Sequence, residues 1–438
     1  MSRALLLTVG TGDMSRLEES LFAPLRKSIE QGEWERVVLL PSLVTEQYAA
    51  ELKVRCGGDL VHVQPLPAAG LEDDADACFA HFDQAIGALR DDGFPTADIV
   101  ADFTRGTKAM SAALVLAAVR HDLSTLRYII GPRDNRGMVR SGMEQIFEIS
   151  PAIATARKRL DAAFQFTRHG NFAGALALLD NDSKINGWPS ALANAVPALR
   201  SVLRFYAAWD RLDYRTAAAV AYPVIASLPE WHVLWPTPAM AMWTARLAAP
   251  AALEDFPAMA ARLRLLACDL HANGERRIRD RHFEDAVLRG YRVLELVGQI
   301  RLFGHGLDSG HLPPDQPAVQ KLSAKLAKAG SVELGMRPDG SLTAAREQVA
   351  RLLKVLGDPL ASDLLKFDEQ RTLLKVSARN KSVLIHGFQA VGQDDDAPLR
   401  ELYRALEALL IMDGGDVTRN DLLIARQMAF SISPVSVL

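Results

Sequence analysis

With 438 residues, 49% hydrophobic and 24% charged, the chain exceeds what one hydrophobic core usually supports, so two or three domains are expected. A net charge of -3 excludes a global basic field for nucleic acid, and the composition excludes wholesale disorder. The three cysteines, Cys56, Cys78 and Cys268, form no CxxC pair, which excludes a Cys-rich zinc site and fits a reducing, cytoplasmic setting. No apolar run approaches the roughly 18 residues of a membrane span. The early ALLLTV (4–9) is too short for a signal-peptide core, so a soluble protein with no membrane partner is expected.

In chain order, six short apolar, β-branched runs predict strands: ALLLTVG (4–10), RVVLLPS (36–42), DLVHVQPL (59–66), DIVADFT (98–104), TLRYIIG (125–131) and QIFEIS (145–150). Helical-length segments such as 15–31 and 107–121 lie between most of them. Alternating strand and helix predicts right-handed crossovers and a largely parallel, doubly covered, Rossmann-like α/β sheet. The last two runs are joined by PRDNRGMVRSGM, too short for a crossover, so a hairpin is expected there.

Such sheets bind ligands beyond the carboxyl ends of the strands, where strand order reverses. Two segments occupy that position: GTGD (Gly10, Thr11, Gly12, Asp13) after strand one, and FTRGTK, with Thr104, Arg105, Gly106, Thr107 and Lys108, after strand four. Glycine admits backbone N–H groups to a ligand, helix N-termini favour anions, Thr hydroxyls donate, and Arg or Lys supplies charge. Neither segment completes a dinucleotide or ATP fingerprint, because Ser15 and Thr107 stand where glycines are needed. The same residues also fit a local role in which Thr107 caps a helix, Gly106 shapes a turn and Lys108 is solvated.

From about 152 to 275 the chain is Ala- and Leu-rich without strand alternation, which predicts helical hairpins. An echo recurs at NFAGA (171–175), DYRTA (213–217) and HFEDA (282–286), pairing Phe172 with Ala175, Tyr214 with Ala217 and Phe283 with Ala286. Its unequal spacing argues for shared packing and against a repeat array. Trp188, Trp209, Trp231, Trp235 and Trp243 are expected in the core.

Beyond 275 come further helices and the stretch SARNKSVLIHGF (377–388). Arg379 and His386 are seven positions apart, so on a helix they share a face with Cα atoms about 10 Å apart. That is too far for one tight pair, but two copies around a two-fold axis would gather Arg379, Asn380 and His386 from both chains. The spacing is not distinctive by itself, since it recurs at Arg55/His62 and Arg264/His271. The adjacent Asn380 and the His386-Gly387 ending set this copy apart.

GTG (10–12), DFTRGTKAMSAAL (102–114) and RNKSVLIHG (379–387), in this order, resemble the CRISPR-associated CARF-HEPN proteins, accessory ribonucleases of type III CRISPR systems. The resemblance implies a CARF sensor over 1–151, an all-α linking region over 152–275 and an all-α HEPN domain over 276–438. It implies a homodimer activated by a cyclic oligoadenylate, with cyclic tetra-adenylate expected ahead of cyclic hexa-adenylate, held by Gly10 to Asp13 and Thr104 to Lys108. It further implies metal-independent cleavage of single-stranded RNA by Arg379, Asn380 and His386, leaving 2',3'-cyclic phosphate and 5'-hydroxyl ends, with no cofactor and with Glu295 as a supporting residue or a solvated helix position. A non-catalytic nucleotide-sensing regulator, its helical end binding a partner or nucleic acid, and a nucleotide hydrolase acting at the N-terminal site stay open beside this reading.

Overall fold

A computed structural model describes residues 3–132, 139–140, 142–180, 188–189, 192, 194–221, 228–250, 252, 254–370, 392 and 396–427. The chain divides into two compact units, one of Met1–Gln165 with Gly174–Pro197 and the other of Phe166–Ala173 with Ala198–Leu438.

The first unit is built on a six-stranded sheet of β1 (Ala4–Val9), β2 (Arg36–Pro41), β3 (Val61–Val63), β4 (Ile99–Asp102), β5 (Thr125–Ile130) and β6 (Gln145–Ile149). The strand order is β3-β2-β1-β4-β5-β6, parallel except for the antiparallel β6, so the expected hairpin is present and β1 pairs directly with β4. Period-two alternation sorts the strand side chains onto two faces. Leu5, Leu7, Val37, Leu39 and Val100 join a core with α1 (Ala23–Glu30) and α2 (Glu46–Arg55). Leu6, Val38, Leu40 and Ala101 join another with α3 (Ala75–Asp91) and α4 (Lys108–Arg120). Helices before β3 therefore cover one face and later ones the other, which puts the reversal of strand order between β1 and β4.

The helix expected over 15–31 is interrupted. A 3-10 turn (Met14–Arg16) and a π turn (Glu18–Phe22) precede α1, because Pro24 has no N–H to give an α-type bond one turn back.

The helical elements continue with α5 (Ala152–Arg168), α6 (Phe172–Asp180), α7 (Ala195–Asp210), α8 (Tyr214–Ala219), α9 (Pro238–Ala248), α10 (Phe256–Arg279), α11 (Phe283–Gly304), α12 (Pro317–Lys328), α13 (Arg346–Leu356), α14 (Ala361–Gln370) and α15 (Asp396–Arg426), the last broken at Gly415. The expected division at 275/276 falls inside α10, a continuous 24-residue helix. Trp209, Trp231 and Trp243 are buried, as expected of core aromatics. Asp269, wholly buried, receives the indole N–H groups of Trp209 (2.7 Å) and Trp243 (3.0 Å) and the Tyr214 hydroxyl (2.8 Å).

The sequence echo marks three helix corners of one design. Gly170, Leu212 and Arg281 adopt φ of 74°, 64° and 61°. In each corner the next residue donates its N–H five residues back, Asn171 to Phe166, Asp213 to Ala208 and His282 to Arg277. This is the left-handed helix ending that glycine accommodates without strain. Arg281 is exposed and holds the strained conformation with a Cβ. Arg281→Gly is accordingly expected to stabilise the fold by about 1 kcal/mol, read as a rise in thermal midpoint; an unchanged or lower midpoint would show that the arginine side chain secures the corner.

Candidate ligand site at the strand-order reversal

The loops leaving β1 and β4 meet at the reversal point. A Cβ on Gly10 would lie 2.5 Å from the Gly106 nitrogen and 2.7 Å from its Cα, so the two backbones touch where no side chain fits. Gly106 itself has φ 118°, outside the range of ordinary L residues. The Thr8 hydroxyl, at the end of β1, donates to the Arg105 carbonyl and fastens the loops together.

Beneath this contact sits Asp102, the last residue of β4, 1% exposed. It accepts from the Thr104 N–H (2.8 Å), the Thr104 hydroxyl and the Ser28 hydroxyl of α1. Arg127 of β5, also buried, donates to the Ser28 carbonyl at 3.2 Å and pairs with Glu148 at 2.7 Å. Burial pushes the Asp102 carboxyl above its ordinary range, opposed by the Ser28 and Thr104 hydrogen bonds and by Arg127.

All nine expected N-terminal site residues therefore lie on two adjoining loops, but they divide by role. The Thr104 hydroxyl is committed to Asp102 and also accepts the Ile129 N–H at 3.1 Å. Thr107 caps α4 by accepting the Met110 N–H at 3.2 Å, and its hydroxyl donates to the Glu72 carbonyl. Asp13 accepts from the Ser15 N–H (2.9 Å) and hydroxyl (2.6 Å), while its own N–H donates to Ser20 at 2.8 Å. Gly12 packs against Ser20 and Leu17 with no room for a Cβ. Thr11 and Lys108 are exposed, and Arg105 is half-buried. The structural frame is thus Asp13, Thr104 and Thr107, and the outward polar groups are Thr11 and Lys108, at the loop and at the start of α4. Asp102, Ser28 and Thr8 complete the frame without any motif to announce them; the one local signal is an acidic residue closing an apolar strand in DIVADFT.

Arg379, Asn380 and His386 lie outside the described residues. Glu295 is half-buried on α11 and pairs with Arg292 at 2.9 Å. Among the described residues, no helix is long and apolar enough to cross a membrane.

A family model described as the Csm6 HEPN domain matches residues 258–413. The structure of Enterococcus italicus Csm6 bound to cyclic hexa-2'-fluoro-hexa-dAMP superposes with a TM-score of 0.63 at 13% identity, covering 98% of each chain. Residues 258–413 are thus similar to the HEPN domain of Csm6, and the chain as a whole shares the fold of a Csm6 protein. No curated protein matches in sequence. The fold, an α/β sheet unit with a mostly helical remainder, is the Csm6 fold, and the HEPN match begins two residues inside α10.

Two expectations follow for the site. Gly10→Ala forces the loops apart and is expected to cost about 1–3 kcal/mol, measured as a lower thermal midpoint. Asp102 binds its proton more tightly folded than unfolded, so its stabilising contribution is complete below the unfolded pKa of about 3.9 and is lost as pH rises through the folded pKa. The midpoint difference between wild type and Asp102→Asn is expected to shift in the variant's favour from about pH 4 to pH 7; a shift in the wild type's favour would mean that the fold prefers the anion.

Proposed function

We propose that the chain is a cyclic-oligoadenylate-activated, metal-independent endoribonuclease acting on single-stranded RNA in type III CRISPR defence, working as a cytoplasmic homodimer. The observation that carries the reading is the coexistence of a Csm6 HEPN match with a sheet whose reversal point joins two loops at Gly10 and Gly106 and presents Thr11 and Lys108 outward. The messenger is a ring of adenylates. The sequence resemblance favours four, whereas the ligand of the Enterococcus protein has six.

In this reading residues 1–151 sense the messenger. The division before the HEPN domain lies ahead of α10 rather than at 275/276, since the family match takes in nearly all of that helix. Gly10 and Gly106 bring backbone close to the ring, Thr11 donates to it, and Arg105 and Lys108 neutralise its phosphates. Gly12, Asp13, Thr104 and Thr107 hold the loops in shape.

At the catalytic end the ribose 2'-hydroxyl attacks its own phosphate and displaces the 5'-oxygen of the next nucleotide, leaving 2',3'-cyclic phosphate and 5'-hydroxyl ends. His386 exchanges the proton near neutral pH. Arg379, always charged and forked, neutralises the phosphorane oxygens, and Asn380 orients either partner. The ring activates by binding more tightly to the cleaving state of the dimer, and only by that difference in affinity.

The test is cleavage of a fluorescent single-stranded RNA in EDTA, with cyclic tri-, tetra- and hexa-adenylate added separately. One ring is expected to trigger cleavage, and Arg379→Ala/His386→Ala to lower the rate by about 100-fold or more. Cleavage that persists in the double variant refutes the catalytic assignment; cleavage indifferent to every ring refutes the sensor. Lys108→Ala is expected to raise the ring concentration needed without changing the rate at saturation.

A further inference from the structure

We propose that His271, Glu275 and Glu407 form a divalent transition-metal site, with the Arg426 guanidinium as its built-in competitor. His271 and Glu275 lie one turn apart on α10, and Glu407 comes from α15. One ligand atom from each residue lies within 4.8 Å of the others, so a small side-chain adjustment brings all three to the roughly 2.0–2.2 Å ligand distances of a single ion.

The imidazole carries the argument. His271 is wholly buried, and its Nε2 is 2.8 Å from the Tyr403 carbonyl oxygen. A carbonyl only accepts, so Nε2 bears the proton and Nδ1 presents a bare lone pair. Among the described residues that Nδ1 has no hydrogen-bond partner, and it lies 3.8 Å from Glu275 Oε2. Two carboxylates and a lone pair within reach of one another are complementary to a cation. A ring N–H held by a backbone carbonyl is also how proteins orient metal-binding histidines.

Arg426 takes up the carboxylates but not the imidazole. It donates to Glu275 from Nε and Nη2 at 2.8 Å each, and to Glu407 from Nη1 at 2.9 Å and Nη2 at 2.7 Å. Four of its five N–H groups serve the two acids and none is bonded to Nδ1, which is left unsatisfied among the described residues. A metal ion satisfies all three groups at once, and to bind it must displace Arg426 from at least one carboxylate. One nitrogen and two carboxylate ligands with open positions suit Zn²⁺, Mn²⁺ or Fe²⁺. Glu275 and Glu407 are partly exposed, at 35% and 29%, which gives the ion an entrance. Displacement would release the last turn of α15, so metal binding and the anchoring of that helix end are linked. The inference does not rest on the ribonuclease reading.

Zn²⁺ titrated into metal-stripped, full-length protein and followed by calorimetry tests it, with Co²⁺ absorption reporting the ligand field. Wild type is expected to bind one ion per chain, Arg426→Gln to bind at least about tenfold tighter, and His271→Ala/Glu407→Gln to lose at least about tenfold in affinity. Absence of binding in both wild type and Arg426→Gln overturns the site, as does unchanged binding in the double variant. If Arg426→Gln does not fold, the thermal midpoint of wild type decides: it is expected to rise with Zn²⁺ and return with EDTA, and Glu407→Gln is expected not to respond. A wild-type midpoint indifferent to Zn²⁺ overturns the proposal.

Discussion

The contact between Gly10 and Gly106 is the constraint from which the N-terminal site is built. It exists because β1 and β4 are neighbours whose following helices leave toward opposite faces of the sheet. Two chains diverging in this way open a crevice, and only backbone fits at its base. Thr8 and Asp102 then lock the loops from below, which leaves Thr11 and Lys108 on the outside. A ligand meets a surface whose shape is set by hydrogen bonds it does not have to make.

A second device, the buried carboxylate, recurs in both units. Asp102 gathers Ser28 from α1 and Thr104 from the next loop, and Asp269 gathers Trp209, Trp243 and Tyr214 from three helices. Each carboxylate ties segments distant in sequence, and hydrogen bonds to such groups contribute about 1.5–3 kcal/mol when charged. Losing one donor orphans an acceptor in a dry interior, so these nodes specify a single arrangement more sharply than apolar packing does.

Legibility in the sequence followed the range of the interaction. The six strands, the hairpin and the two loops could be read because each depends on a few adjacent residues. The cap at Thr107, left open beside its place in the ligand site, is present and also depends on adjacent residues. Asp102 was hidden because its meaning depends on Ser28, far away on α1. His271 and Glu275 stand four apart on one helix, but Glu407 joins them only through the fold. The division expected at 275/276 falls inside α10 because composition does not change between one helix and the next, so nothing local marks the helix ends there. For Arg379, Asn380 and His386 the sequence alone carries the reading.

The three corners at Gly170, Leu212 and Arg281 show how little a helical segment needs to specify in order to turn back on itself. One residue adopts a left-handed conformation, the next starts a new helix, and an aromatic follows. Glycine, leucine and arginine all serve in the first role, so the corner is written in hydrogen bonds and only loosely in residue type. Such a rule constrains the joints and leaves the rods free. The segments between joints can then differ while the turning geometry is kept, and the echo recurs in the sequence without a fixed period.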